Sequence, residues 1–280
     1  MGNGAYKTVY RAYDNDSGNE VAWNVIRLQR LPLSRIPCFY SKLISNSLIE
    51  ERKRILDEVH LLKSLKHPNV IHFISAWINK RKEEVVFITE IVTGGSLKRY
   101  DDDNERVKFV FLSSYLKKIK NPKLKVIKNW CRGILQGLDY LHSMKPNPVI
   151  HRDLKCENIF INSNNGEIRI GDLGLATCMS GSFAKSVLGT PHFMAPEMYE
   201  EVYGTGVDIY SFGMCLLEMV TQQVPYSECS NAAQIYKKVL TGKKPQSLDL
   251  ILNEELKSFI LNCLKEKDER PSAKELLQSK

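Results

Sequence analysis

The sequence predicts an α+β protein of two lobes, a small β-rich one followed by a larger α-helical one. Three observations carry this. Up to about residue 97, short apolar or alternating runs lie between turn-rich clusters, as in strands. After Gly94-Gly95 apolar residues recur every three or four positions, as in amphipathic helices. A chain of 280 residues, 43% hydrophobic and 26% charged, also has enough apolar material for a core in one large domain or two lobes.

Lys7 to Tyr13 and Glu20 to Leu28 read as paired strands, joined by the turn-rich stretch Asp14-Asn15-Asp16-Ser17-Gly18-Asn19. A helix is expected from about Glu50 to Lys66, with Ile55, Val59, Leu62 and Leu65 on one face, stopping before His67-Pro68. Val70 to Trp77 and Val85 to Glu90 restore strand character. In the second half Asn129 to His142 is amphipathic. Val207 to Val220 is apolar nearly all round and so central. Asn253 to Lys265 and Ser272 to Gln278 are short amphipathic helices. Residues 31–46 and 101–121 show no lasting periodicity and read as insertions. The cleft between two such lobes is a natural ligand site.

Composition narrows the function classes. No apolar run approaches the roughly 18 residues that cross a bilayer, so no membrane insertion is expected. Seven scattered cysteines without a C-x-x-C pair argue against a disulfide framework or a zinc site and for a reducing, cytoplasmic location. The net charge of +8 concentrates in residues 98–128 (+6) and 27–66 (+5). Neither stretch interleaves stacking aromatics or forms a reading module, so nucleic acid is not an expected partner. The six histidines show no metal-ligand spacing, which leaves little for a zinc-dependent hydrolase.

The strongest chemical signal is His151-Arg152-Asp153-Leu154-Lys155-Cys156-Glu157-Asn158, followed by the strand-like Ile159-Phe160-Ile161 and by Gly171-Asp172-Leu173-Gly174. Phosphoryl transfer needs a carboxylate to orient and deprotonate a hydroxyl, a cation near the transferring group and oxygen ligands for magnesium. Asp153, Lys155, Asn158 and Asp172 supply these in that order. Ala195-Pro196-Glu197 closes the Ser/Thr/Gly-rich segment that follows.

With these pieces in order the chain resembles the eukaryotic protein kinases over almost its whole length. The resemblance implies the bilobal kinase fold across residues 1–280, with an N-lobe at 1–92 and a C-lobe at 93–280. It implies ATP and Mg²⁺ as cofactors, Asp153 as base, and Asn158 with Asp172 as metal ligands. Lys155 points to the serine/threonine class, Glu197 is expected to pair with Arg270, and Asp208 to brace the catalytic loop. The chain starts on the glycine loop, so the N-lobe is expected to lack its first strand.

The front of the fold departs from the usual kinase pattern. Its third strand reads Val21-Ala22-Trp23-Asn24, so an amide fills the place of the nucleotide-binding lysine. The glycine loop reads Gly2-Asn3-Gly4-Ala5-Tyr6-Lys7-Thr8-Val9, with Lys7 where a third glycine is usual. A lysine stem reaches roughly 6 Å, so Lys7 can serve the phosphates and Glu58 from there.

This exchange is similar to the with-no-lysine (WNK) kinases, and further stretches agree, among them Phe193-Met194-Ala195-Pro196-Glu197-Met198-Tyr199. The resemblance implies that Gly2, Gly4, Val9 and Ala22 frame the nucleotide. Glu90 and Val92 offer backbone groups to adenine beside the gatekeeper Thr89, and Phe160 forms the floor. Ser182 and Ser186 become activation-loop phosphorylation sites, with homodimers for autophosphorylation. Phe73, Phe87, Leu173 and Leu175 become the shell of an inhibitory chloride. Protein substrates are implied, with downstream sterile-twenty-like kinases among them. A second reading stays open: a pseudokinase or scaffold that keeps the fold and signals by docking.

Overall fold

The computed structural model describes residues 2–3, 7–27, 64–79, 81–82, 84–90, 109–119, 122–173, 177–178, 189–200 and 202–279. The predicted helix 50–66, except its last turn, and the insertion 31–46 lie outside them. The chain forms two compact units, one of residues 1–110 with 162–165, the other of 111–161 with 166–280.

The first unit is an antiparallel sheet of strands β1 (Gly2–Asn3), β2 (Lys7–Tyr13), β3 (Glu20–Arg27), β4 (Phe73–Asn79) and β5 (Glu84–Glu90), in the order β1-β2-β3-β5-β4. Gly2 and Asn3 pair with Val9 and Thr8, so the sheet has a two-residue strand ahead of β2. β3 lies in the middle, and Val21, Ala22, Asn24 and Val25 are all buried, as a strand covered on both faces requires. β4 begins at Phe73 rather than at Val70. The chain first turns after His67-Pro68, where the Val70 N–H donates to the His67 carbonyl at 3.1 Å. On the sheet, Trp23 and Trp77 meet edge to face, 5.1 Å between ring centres.

The second unit is mostly helical. The strand β6 (Phe109–Phe111), of which only Phe111 belongs to this unit, and the short helix α1 (Leu112–Leu116) occupy part of the stretch 101–121 that reads as aperiodic. α2 (Leu124–His142) starts before the predicted Asn129, because the buried stripe of Ile134, Leu138 and Leu141 runs back through Trp130 to Ile127. Then come β7 (Val149–Ile150), β8 (Ile159–Asn162), β9 (Ile168–Ile170) and β10 (Thr177–Cys178), with β8 antiparallel to β9 and β7 to β10.

α3 (Gly206–Thr221) is buried from Val207 to Met219, as its apolar circumference predicts. α4 (Ala232–Leu240) was not legible as a helix. Its start is marked by Asn231, whose side-chain oxygen accepts the Gln234 N–H at 3.0 Å. α5 (Glu254–Cys263) and α6 (Ala273–Gln278) begin on Asn253 and on a Ser272–Glu275 capping box. No described helix is long and apolar enough to cross a membrane, and the described cysteines 131, 156, 215, 229 and 263 are free thiols.

Candidate functional site

The chemistry-bearing residues of the second unit sit on the loop between β7 and β8 and on the turn after β9. Two backbone positions there are left-handed although neither is glycine: Arg152 at φ 69° and Asp172 at φ 55°. Such conformations persist only where surroundings enforce them. Asp208, in the first turn of α3, supplies that enforcement at Arg152. Its carboxylate accepts the backbone N–H groups of His151 and Arg152, each at 2.9 Å, and His142 Nε2–H at 2.8 Å. Burial pushes the Asp208 pKa up, but the bond from His142 and the neighbouring histidines and N–H groups outweigh it, so the carboxyl lies below its ordinary value.

Within the loop the predicted groups converge. Asp153 Oδ1 accepts the Thr190 hydroxyl at 2.8 Å, and its Oδ2 meets Lys155 Nζ at 2.9 Å. Lys155 Nζ also donates to Thr190 Oγ1 at 2.7 Å. Asn158 uses its side-chain NH₂ on the Asp153 carbonyl at 2.7 Å and on Oδ2 at 3.0 Å. That choice of donors leaves the Asn158 side-chain oxygen as the atom suited to a cation. Asp153 is thus held by a cation, a hydroxyl and an amide and aimed as one unit.

The loop is tied to the Asp172 turn through backbone groups. His151 Nε2 bonds the Gly171 carbonyl at 2.8 Å, and the Gly171 N–H donates to the Asn158 carbonyl at 2.9 Å. A Cβ on Gly171 would lie 2.1 Å from Phe160 Cε2, so a larger residue there would have to displace the Phe160 ring. Phe160 is buried, with the Phe111 ring 4.9 Å away. Asn158 and Asp172 are therefore neighbours of one short network. One amide and one carboxylate suit a magnesium ion that keeps water and phosphate ligands. Among the described residues no group of three His, Cys, Asp or Glu could hold a metal alone.

Glu197 and Arg270 form the predicted ion pair, both buried. Arg270 Nη2 donates to Glu197 Oε2 at 3.2 Å, Nη1 also contacts Glu197 and donates to the Gly206 carbonyl at 2.7 Å, and the guanidinium stacks 5.2 Å from the Tyr210 ring centre. The Asp153–Thr190 bond was missed from the sequence.

In the first unit, Ala22, Asn24 and Thr89 are buried, and Asn24 donates its amide to the Ala22 carbonyl at 3.0 Å and, more distantly, to the Phe87 carbonyl and Thr89 Oγ1, each at 3.4 Å. Every acceptor is neutral. Register pairs Val9 with Asn24 and Lys7 with Ile26. Phe73 and Phe87 are buried with ring centres 5.8 Å apart, and Glu90 closes β5. Leu173 is buried in the second unit. Gly4, Glu58, Val92, Leu175, Ser182 and Ser186 lie outside the described residues.

Residues 1–280 match the protein kinase domain family. The chain is 48% identical over 276 residues to serine/threonine-protein kinase WNK8 of Arabidopsis thaliana, covering 99% of this chain and 44% of that protein. It is equally 48% identical over 278 residues to probable serine/threonine-protein kinase WNK10 of the same plant, covering 99% and 47%. The chain thus spans a little under half the length of the curated relatives it matches.

Proposed function

This chain belongs to the protein kinase family, in its with-no-lysine branch, and we propose that it transfers the γ-phosphoryl group of ATP to serine or threonine hydroxyls of protein substrates. The observation that carries the reading is the Asp153–Lys155–Thr190 cluster, with Asn158 bonded to the same carboxylate. Asp153 orients the substrate hydroxyl and takes its proton as the oxygen attacks the γ-phosphorus and the bond to ADP breaks. Lys155 neutralises charge on the transferring group. Asn158, through its side-chain oxygen, and Asp172 would hold Mg²⁺, which when bound supplies positive charge to the triphosphate.

Lys7 replaces the cation that Asn24 cannot provide. Cross-strand partners share a sheet face, and the pairs Val9–Asn24 and Lys7–Ile26 put position 7 on the face of Ala22 and Asn24. Gly2, Gly4 and Val9 complete the phosphate loop, Glu58 is the ion-pair partner of Lys7, and Thr89, Glu90, Val92 and Phe160 frame adenine. Phe73, Phe87, Leu173 and Leu175 form the shell of a regulatory chloride, and Ser182 and Ser186 are sites of autophosphorylation between two copies. Sterile-twenty-like kinases are the proposed substrates and the cytosol the proposed location.

Phosphotransfer to a protein substrate, with phosphosites mapped by mass spectrometry, tests the reading. Asp153→Asn should lower turnover about 10³-fold and Lys7→Met about 10²-fold, both with the fold intact. A Lys7→Met protein as active as wild type would overturn the relocated cation, and an unaffected Asp153→Asn would overturn the enzyme. Autophosphorylation indifferent to chloride at constant ionic strength would remove the anion site alone.

A further inference from the structure

α2 packs on α3 and on α6, and α5 packs on α3, and a groove of about 340 Å³ is left between α2 and α5. Its floor is Ile127, Leu135, Leu216 and Leu276, all buried, and Leu256 and Phe259 line the α5 side. A concave, mostly apolar site of this size lies within the range that holds small ligands. None of the groups assigned to phosphotransfer lines it.

The groove carries its charge along one edge. Lys128 and Arg132 stand one turn apart on α2, both line the groove, both are exposed, and neither makes an ion pair or hydrogen bond with another described residue. On the opposite wall the only charged group is Glu255, which is equally unpaired among the described residues and so does not compensate the two cations at contact distance. Two cations at i and i+4 beside an apolar trough are complementary to a carboxylate carried on a hydrocarbon chain.

We propose that this groove binds a single-chain fatty acid, the chain along Ile127, Leu135 and Leu256 and the carboxylate between Lys128 and Arg132. Burial of hydrocarbon then sets the affinity, each methylene strengthening binding about fourfold until the groove is full. The paired cations set the preference for an anionic head.

Calorimetry with sodium dodecanoate below its micelle concentration, and with dodecanol as the uncharged probe, tests this on the whole chain. One dodecanoate per protein is expected, octanoate binding more weakly and dodecanol about tenfold more weakly. Leu256→Trp, which fills the trough from the half-exposed α5 side, should abolish binding of both probes. Lys128→Ala with Arg132→Ala should erase the preference for dodecanoate over dodecanol while leaving dodecanol bound. No saturable binding by wild type, or binding untouched by both variants, would overturn the proposal. Equal affinity of wild type for the two probes would do so too, as would a wild-type dimer that Leu256→Trp converts to monomer, which would make the groove a self-interface. If Leu256→Trp fails to fold, the double variant, which changes only exposed side chains, decides.

Discussion

Helix α3 buries a carboxyl near each end and treats the two oppositely. Asp208 in its first turn receives three hydrogen bonds and is held below its ordinary pKa. Glu218 in its last turn is 8% exposed, and its Oε2 has no hydrogen-bond partner among the described residues. Burial is the chief cause that raises Glu218, to about 7; the Cys156 thiol pulls it down, the Glu157 carboxylate pushes it further up, and Lys117 offsets that in part. The same helix and comparable burial thus give one ionised and one half-neutral group. What separates them is the number of donors that converge, not depth. Charge is kept where the backbone of His151 and the left-handed Arg152 needs its two N–H groups held, and it is given up where fewer donors converge.

Removing the charged member should cost most. Asp208→Ala leaves two buried N–H groups and His142 without their acceptor, a loss of about 4 kcal/mol in stability by urea unfolding. Because the folded pKa is depressed, this stabilisation is present above the ordinary carboxylate value and disappears as pH falls through the folded one. A loss under about 1 kcal/mol at neutral pH would mean that the three bonds are not what holds the loop.

The other end has the opposite sign. Glu218 binds its proton more tightly folded than unfolded, so its contribution is fully present below its ordinary value of 4.5 and is lost as pH rises through about 7. The cost at pH 8 is about 3 kcal/mol at most. Glu218→Gln should therefore match wild type near pH 4.5, exceed it in stability at pH 8, and flatten the slope between. If the variant is no more stable than wild type at pH 8, the carboxyl has a partner that compensates its burial.

The contrast also explains what the sequence made legible. Asp153, Asn158 and Asp172 could be singled out because their motifs stand in order along the chain, and the Asp208 brace and the Glu197–Arg270 pair through the resemblance to protein kinases that those motifs carry. β2, β3 and β5 could be read because alternation and turn residues bound them locally. The Thr190 hydroxyl on Asp153 could not, since a single threonine in a Ser/Thr/Gly-rich loop carries no local mark and its partner lies far back in the chain. α1 and β6 were hidden for a similar reason: their order comes from packing, such as Phe111 on Phe160, not from periodicity. Nor does anything local mark Glu218 Oε2 as short of a donor, because only the packed helix shows which buried oxygen found none.

Asn24 extends the comparison to a buried polar group that never carries charge, and it should show the smallest effect. Its amide makes one good hydrogen bond, to the Ala22 carbonyl at 3.0 Å, and two long ones at 3.4 Å. All three acceptors are neutral, so the net value of the set is that of an ordinary neutral hydrogen bond, about 1 kcal/mol. Asn24→Ala should lower stability by that amount, equally at pH 5 and pH 8, because no proton is bound or released with the side chain. Asn24→Lys should cost more at pH 5 than at pH 8, since an ammonium buried among neutral acceptors is relieved by losing its proton. A pH-independent penalty for lysine would imply an anionic partner for position 24, and with it a cation site on β3 that competes with the one proposed for Lys7.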